Sequence, residues 1–211
     1  MDPMHKTRIN GLYAITPDTA DSTRLLQLAR QALQGGIDVL QYRNKSTDLS
    51  LRLQQAKALQ ALCQQYRVPL IVNDDVDLAL TINADGVHLG SSDGQIATAR
   101  QRLGAYAIIG ASCYNRLELA DKAVADGADY VAFGSMFVSS TKPDAVKAPL
   151  SLLQQARNEL DCPIVAIGGI GLENIAEVAA AGATAAAVIT ALFETASAEL
   201  SARLLRQKFF F

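Results

Sequence analysis

Residues 70–93 read LIVNDDVDLALTINADGVHLGSSD. Two apolar runs, LIV at 70–72 and GVHL at 86–89, flank a segment that opens on acids, and each run is closely followed by carboxylates: Asp74 and Asp75 after the first, Asp93 after the second. Strand, helix and strand in such a short span make one βα unit and the start of the next. Polar groups collect where each strand stops.

The unit recurs along the chain. Apolar runs at 11–16 (GLYAIT), 37–43 (IDVLQYR), 68–73, 84–89, 106–112 (YAIIGAS), 128–134 (ADYVAFG), 162–169 (CPIVAIGG) and 183–190 (ATAAAVIT) alternate with segments that carry apolar residues at helical spacing, such as Leu25, Leu26, Ala29 and Leu33. The runs are apolar on both faces, as strands of a parallel sheet covered by helices must be. About eight such units predict a single (β/α)8 TIM barrel, with a doubly wound open sheet as the rival. The repeated GGID (35–38), DGAD (126–129) and AGAT (181–184) mark helix ends, where glycine suits the left-handed C′ position. No linker divides the chain, so residues 1–211 read as one domain, with 1–10 as an N-terminal extension.

Composition narrows the partners. The 211 residues are 50% hydrophobic and carry 19 basic and 21 acidic groups, a formal net charge of −2 without long runs of one sign. Such a surface attracts neither nucleic acid nor an anionic membrane and leaves small molecules as the expected substrates. Cys63, Cys113 and Cys162 lie far apart without metal-ligand spacing, and the N-terminus has no apolar signal core. The expectation is a soluble cytoplasmic protein. The terminal KFFF leaves two readings open, packing on the barrel's helices or contact between subunits of a homo-oligomer.

In a barrel, chemistry sits at the C-terminal ends of the strands. In QYRNK (41–45), Gln41, Arg43 and Lys45 alternate and so point the same way, and two cations side by side call for an anion between them. Asp74 and Asp93 end neighbouring strands, about 4.8 Å apart in a sheet, so the two carboxylates can share a hard cation such as Mg²⁺. Asp75 reads as a helix cap. His88 reads as a packed, hydrogen-bonded residue without a catalytic role. FGSMFVSSTKP (133–143) places the hydroxyls of Ser139, Ser140 and Thr141 beside Lys142 as an anion cradle. AIGGIG (166–171) and AVITA (187–191) end the last two strands, where barrels frequently bind a phosphate.

Taken as an ordered set, QYRNK, VND, ADGVHLG with Asp93, FGSMFVSSTKP and IGGIGLENI resemble the thiamin phosphate synthase family, from LYAIT to AVITALF. The resemblance implies a TIM barrel that joins a hydroxymethylpyrimidine pyrophosphate to a thiazole phosphate and releases pyrophosphate. It implies that Gln41, Arg43, Lys45, Asn73, Ser112 and Lys142 hold the pyrimidine pyrophosphate, with Tyr42 and Asn44 as further contacts from the QYRNK run. Lys142, Ser112 and Arg43 form the implied catalytic set, and Asp74 and Asp93 the ligands of a Mg²⁺ cofactor. Ser139, Ser140, Thr141, Gly169, Ile189 and Thr190 would contact the thiazole phosphate. Tyr42, Asn44, Ser91, Ser92 and Thr190 depart from the family's usual residues, while the charged groups and metal ligands are kept.

Two rival functions stand beside this one. A similar barrel, the thiazole tautomerase, uses a histidine shortly after the fifth strand, where GASCYN here carries Tyr114. A non-catalytic phosphate-binding barrel would tolerate loss of the metal acids, yet Asp74 and Asp93 are both present.

Overall fold

The computed structural model describes residues 9–90, 96–138 and 146–211. Ser91, Ser92, Asp93, Ser139, Ser140, Thr141 and Lys142 lie outside the described residues. The chain runs β1 (Gly11–Ile15), α1 (Ser22–Gln34), β2 (Val39–Tyr42), α2 (Leu49–Tyr66), β3 (Leu70–Asn73), α3 (Val76–Ile82), β4 (Gly86–Leu89) and α4 (Ile96–Leu103). It continues β5 (Ile108–Tyr114), α5 (Leu117–Ala125), β6 (Tyr130–Phe133), α6 (Leu150–Glu159), β7 (Ile164–Ile167), α7 (Ile175–Ala180), β8 (Ala185–Val188), α8 (Thr190–Phe193) and α9 (Ala198–Phe210).

Each strand pairs in parallel with its sequence neighbour, and β8 returns to β1 with Gly11 opposite Ala185 and Ala14 opposite Val188. The sheet is therefore a closed (β/α)8 barrel, and the open doubly wound alternative is excluded. Closure gives every strand two neighbours and leaves no edge.

Strand alternation sorts the apolar residues into two cores. Leu12, Ala14, Leu40, Val72, Val87 and Val131 point outward against the helices, with Leu25, Ala29, Leu59, Leu153 and Leu205 packing over them. Tyr13, Ile15, Val39, Ile71, Tyr130, Val165 and Ala187 point inward and fill the barrel. The strands read as apolar on both faces because both faces are covered. Among the described residues no helix is long and apolar enough to cross a membrane.

At the N-terminal end of the barrel one polar device is used four times. Asp38, Asp85, Asp129 and Thr184 each precede an even-numbered strand, and each donates its backbone N–H to the carbonyl of Leu12, Leu70, Ile109 or Ile164 on the preceding odd strand. The same four side chains accept the N–H of that same residue, at 2.9, 2.8, 2.8 and 2.8 Å. A side-chain oxygen thus completes the ladder where no partner carbonyl is available. Two residues before each sits a left-handed backbone, at Gly36, Asn83, Gly127 and Gly182. The GGID, DGAD and AGAT repeats are three copies of this device, and Asn83-Ala84-Asp85 is the fourth.

Helix starts use a related chemistry. Asp21, Asp48, Asp75 and Ser197 cap α1, α2, α3 and α9 by accepting a backbone N–H three residues on. At the C-terminus, Phe209 packs into the outer core, Arg206 lies over the Phe210 ring at 5.0 Å, and Phe211 is exposed. One aromatic of the KFFF segment thus packs on the barrel's helices, and the last faces outward.

Asp85→Ala leaves the Leu70 N–H without its acceptor, so the urea midpoint falls by the equivalent of about 1–3 kcal/mol. Because Asp85 lies at the end of the barrel remote from the strand C-termini, ligand affinity at low temperature stays unchanged.

Candidate active site

The C-terminal ends of the strands surround a cavity of about 760 Å³. Its walls include Gln41 and Arg43 after β2, Asn73 on β3, His88 on β4, Ser112 and Tyr114 on β5, and Gly134 and Ser135 after β6. Gly168, Gly169, Ile189 and Thr190, after β7 and β8, close the other side. In an eight-stranded ring β3 and β4 face β7 and β8, so the polar wall and the glycine wall stand opposite one another.

The polar wall is held by a loop built from both faces of β2. Thr16, the residue after β1, accepts the Arg43 N–H at 2.9 Å and donates to the Arg43 carbonyl at 3.1 Å. Asp18 pairs with the Arg43 guanidinium at 3.0 Å and accepts the Lys45 N–H at 3.0 Å. Lys45 Nζ reaches Asp74 Oδ2 at 2.8 Å, and Asn73 Nδ2 donates to the same oxygen at 2.6 Å. Asp74 adopts a left-handed backbone, φ 65°, and donates its N–H to the His88 carbonyl across the β3–β4 pair. Each cation of this wall is thereby matched to an acid in the free protein.

Inside the cavity floor the polar side chains bond to one another. Gln41 Nε2 lies 2.8 Å from Tyr13 Oη, which lies 2.7 Å from Tyr130 Oη. His88 Nδ1 is 3.0 Å from Tyr130 Oη and its Nε2 is 2.9 Å from Ser112 Oγ. Burial lowers the His88 pKa to about 4, against a smaller opposing pull from the Asp74 carboxylate, so the ring is neutral near pH 7. Burial likewise raises the phenols of Tyr13 and Tyr130 well above their usual value, which keeps both protonated.

On the glycine wall, Gly168 and Gly169 have φ values of 101° and 62°. A Cβ at Gly168 would overlap Ser135, and one at Gly169 would overlap the Phe137–Val138 backbone. Only glycine lets β7 end this close to the loop after β6, and that packing shapes the wall.

The family model described as thiamine monophosphate synthase matches residues 12–192. The chain belongs to that family. It is 55% identical to the thiamine-phosphate synthase of Methylobacillus flagellatus over 95% of the chain and 96% of the relative. It is 56% identical to that of Chromobacterium violaceum, over 94% and 95%. A solved structure, the thiamine phosphate pyrophosphorylase from Pyrococcus furiosus, superimposes with a TM-score of 0.86 at 34% identity, covering 97% of both chains.

Of the residues expected at a thiamine monophosphate synthase site, Gln41, Arg43, Asn73, Ser112, Gly169, Ile189 and Thr190 line the one cavity. Lys45 and Asp74 adjoin it through Asn73. Asp93, Ser139, Ser140, Thr141 and Lys142 fall outside the described residues. Asp75 caps α3, as read, and pairs with Arg52 at 2.6 Å. His88 is packed and hydrogen-bonded, as read, and also lines the cavity.

Tyr42 and Asn44, also expected at the site, are not among the cavity-lining residues. The alternation that turns Gln41 into the barrel turns Tyr42 outward, where it is 2% exposed in the outer core and its hydroxyl donates to Gln55 Oε1 at 2.9 Å. Asn44 donates to the same oxygen at 2.8 Å. Gln55 in turn donates to the Thr19 carbonyl and the Ser22 hydroxyl at 3.1 and 3.2 Å. These two side chains hold the Arg43–Lys45 loop from behind. The sequence reading missed Thr16, Asp18, Tyr13 and Tyr130. Asp18 had a signal, an acid just past a strand end, whereas the tyrosines look like any apolar strand residue.

Gln55→Leu strips partners from Tyr42, Asn44, Thr19 and Ser22 at once. It lowers stability by on the order of 3 kcal/mol and weakens inorganic pyrophosphate binding by calorimetry, because the loop that carries Arg43 and Lys45 loosens. Tyr42→Phe, which removes one of those bonds, has the smaller effect on both.

Proposed function

We infer that the protein is a thiamin phosphate synthase. It joins 4-amino-2-methyl-5-hydroxymethylpyrimidine pyrophosphate to 4-methyl-5-(2-phosphooxyethyl)thiazole, giving thiamin phosphate and pyrophosphate. The observation that carries the reading is the single cavity that gathers Gln41, Arg43, Asn73 and Ser112 on one side and Gly169, Ile189 and Thr190 on the other. Two anionic substrates then enter with their phosphates at opposite walls and their reacting atoms between.

On this reading the pyrophosphate lies against Arg43, Lys45, Asn73 and Ser112. Arg43 offers a planar fork to its oxygens and Lys45 a compact charge. Asp18 and Asp74, which hold those cations in the free protein, keep them oriented for the incoming anion. Carbon–oxygen cleavage leads, and charge that develops on the departing oxygens meets positive groups already in place. The thiazole nitrogen captures the pyrimidine cation over a floor that includes Ile15, Ala132, Val165 and Ala187, where apolar packing limits competing water. Lys142 and the hydroxyls of Ser139, Ser140 and Thr141 are assigned to the same two phosphate groups by sequence position.

The donor chemistry of the metal site suits Mg²⁺. Asp74 supplies a hard carboxylate beside the pyrophosphate wall, and Mg²⁺ takes one or two carboxylates together with substrate phosphate oxygens and waters. Asp74 and Asp93 would hold it, and when bound it neutralises charge on the leaving pyrophosphate. No proton has to be abstracted from carbon, which agrees with a His88 ring that burial keeps neutral and bonded at both nitrogens. Where the tautomerase carries its histidine, the cavity wall here has Tyr114, and that favours the synthase over the isomerase. We take residues 1–211 to act as one domain in the cytoplasm, and the outward Phe211 supports a homo-oligomer.

The purified protein, given both substrates and Mg²⁺, releases pyrophosphate in a coupled assay; none from folded protein defeats the reading. Asp74→Ala lowers kcat/KM by on the order of 10²-fold, and its Mg²⁺ titration curve shifts to higher concentration. An Asp93→Ala enzyme with unaltered Mg²⁺ dependence rules out the shared ion.

A further inference from the structure

Gln41, Tyr13, Tyr130, His88 and Ser112 come from β2, β1, β6, β4 and β5, yet they form one continuous hydrogen-bonded chain through the barrel. All but Ser112 are buried. Each phenol in the chain has two partners and one proton, so its proton can go only one way.

The Gln41 amide nitrogen donates, and Tyr13 must accept there. The Tyr13 proton then has one acceptor left, Tyr130 Oη. Tyr130, having accepted from Tyr13, gives its own proton to His88 Nδ1. A neutral imidazole that accepts at Nδ1 carries its proton on Nε2, and it donates that proton to Ser112 Oγ. The Ser112 hydroxyl proton is thus left for the cavity, which Ser112 lines. With Gln41 held in this orientation, any other arrangement strands a buried phenol proton.

Turning the Gln41 amide end for end reverses every donor. Tyr13 would give its proton to Gln41, Tyr130 to Tyr13, His88 Nδ1 to Tyr130, and Ser112 to a bare Nε2. The serine would then present only lone pairs to the cavity, and lone pairs repel a phosphate oxygen. One amide orientation, buried at the far end of the chain, decides whether Ser112 gives or takes a proton.

We propose that Gln41, Tyr13, Tyr130 and His88 are positioning residues that fix Ser112 as a hydrogen-bond donor to the anionic oxygens of the substrate. The inference rests on Ser112 meeting the pyrophosphate, as read above. It gives His88 a role without any proton transfer: the ring holds one tautomer and passes a direction along. It also explains why tyrosines, and not phenylalanines, occupy two of the inward positions of an otherwise apolar core.

The test separates polarity from activity. The chain has two histidines, His5 and His88, so the protein labelled with ¹⁵N-histidine gives few enough signals to assign by a His5→Gln variant. Long-range ¹H–¹⁵N spectra of the substrate-free protein are expected to show His88 as the Nε2–H tautomer; the Nδ1–H tautomer overturns the proposal. A kinetic cycle then asks whether the chain acts through Ser112. Tyr130→Phe, with its fold checked by thermal melting, is expected to lower kcat/KM about tenfold in the otherwise native enzyme and to have little effect in the Ser112→Ala background. An equal loss in both backgrounds overturns it. Absence of turnover in the unsubstituted enzyme defeats the synthase reading alone, because the tautomer is read without substrate.

Discussion

The return of β8 to pair with β1 is the contact on which the rest of the molecule depends. Closing the sheet gives the strands an inside and an outside, and period-2 alternation then sends every second residue to each. The outward set meets the helices and supplies most of the apolar burial. The inward set has only itself to pack against, and near the C-terminal ends it turns polar. A site at that end follows from the same closure that makes the core.

The two ends of the barrel solve opposite problems with similar atoms. At the N-terminal end, Asp38, Asp85, Asp129 and Thr184 are spent inside the fold, each completing a ladder step on a neighbouring strand. At the C-terminal end, Asp18 and Asp74 are matched to Arg43 and Lys45 on a wall open to a ligand. The first set is closed on both sides by the chain. The second includes pairs with long cationic side chains, which an incoming phosphate can also satisfy. Position along the strand, and not residue type, separates a structural acid from a functional one.

Between those ends the barrel interior carries a line of hydroxyls, an amide and an imidazole. Buried polar groups are tolerated when every donor finds an acceptor, and a chain of them then has one direction. That makes the interior more than filler: Tyr13 and Tyr130 contribute ring volume to the core and order to the wall above it.

Much of this was legible in one dimension. Eight apolar runs with helical segments between them determine a parallel sheet, because strands apolar on both faces have to be covered on both faces, and the pairing of β8 with β1 decides that it closes. The repeats at the helix ends, the cap at Asp75, and the polar residues just past each strand end were readable because their chemistry is local. The alternation of Gln41, Arg43 and Lys45 was also local, and followed one step further it would have turned Tyr42 and Asn44 away. The tertiary structure alone decided which side chains meet: Asp18 with Arg43 past the ends of β1 and β2, Gln55 of α2 with Tyr42 and Asn44 outside the barrel, and Tyr13 with Tyr130 inside it, over 117 positions of sequence. Nothing in the spacing of residues records a contact made by closing a cylinder, since closure brings together strands that are remote in the chain.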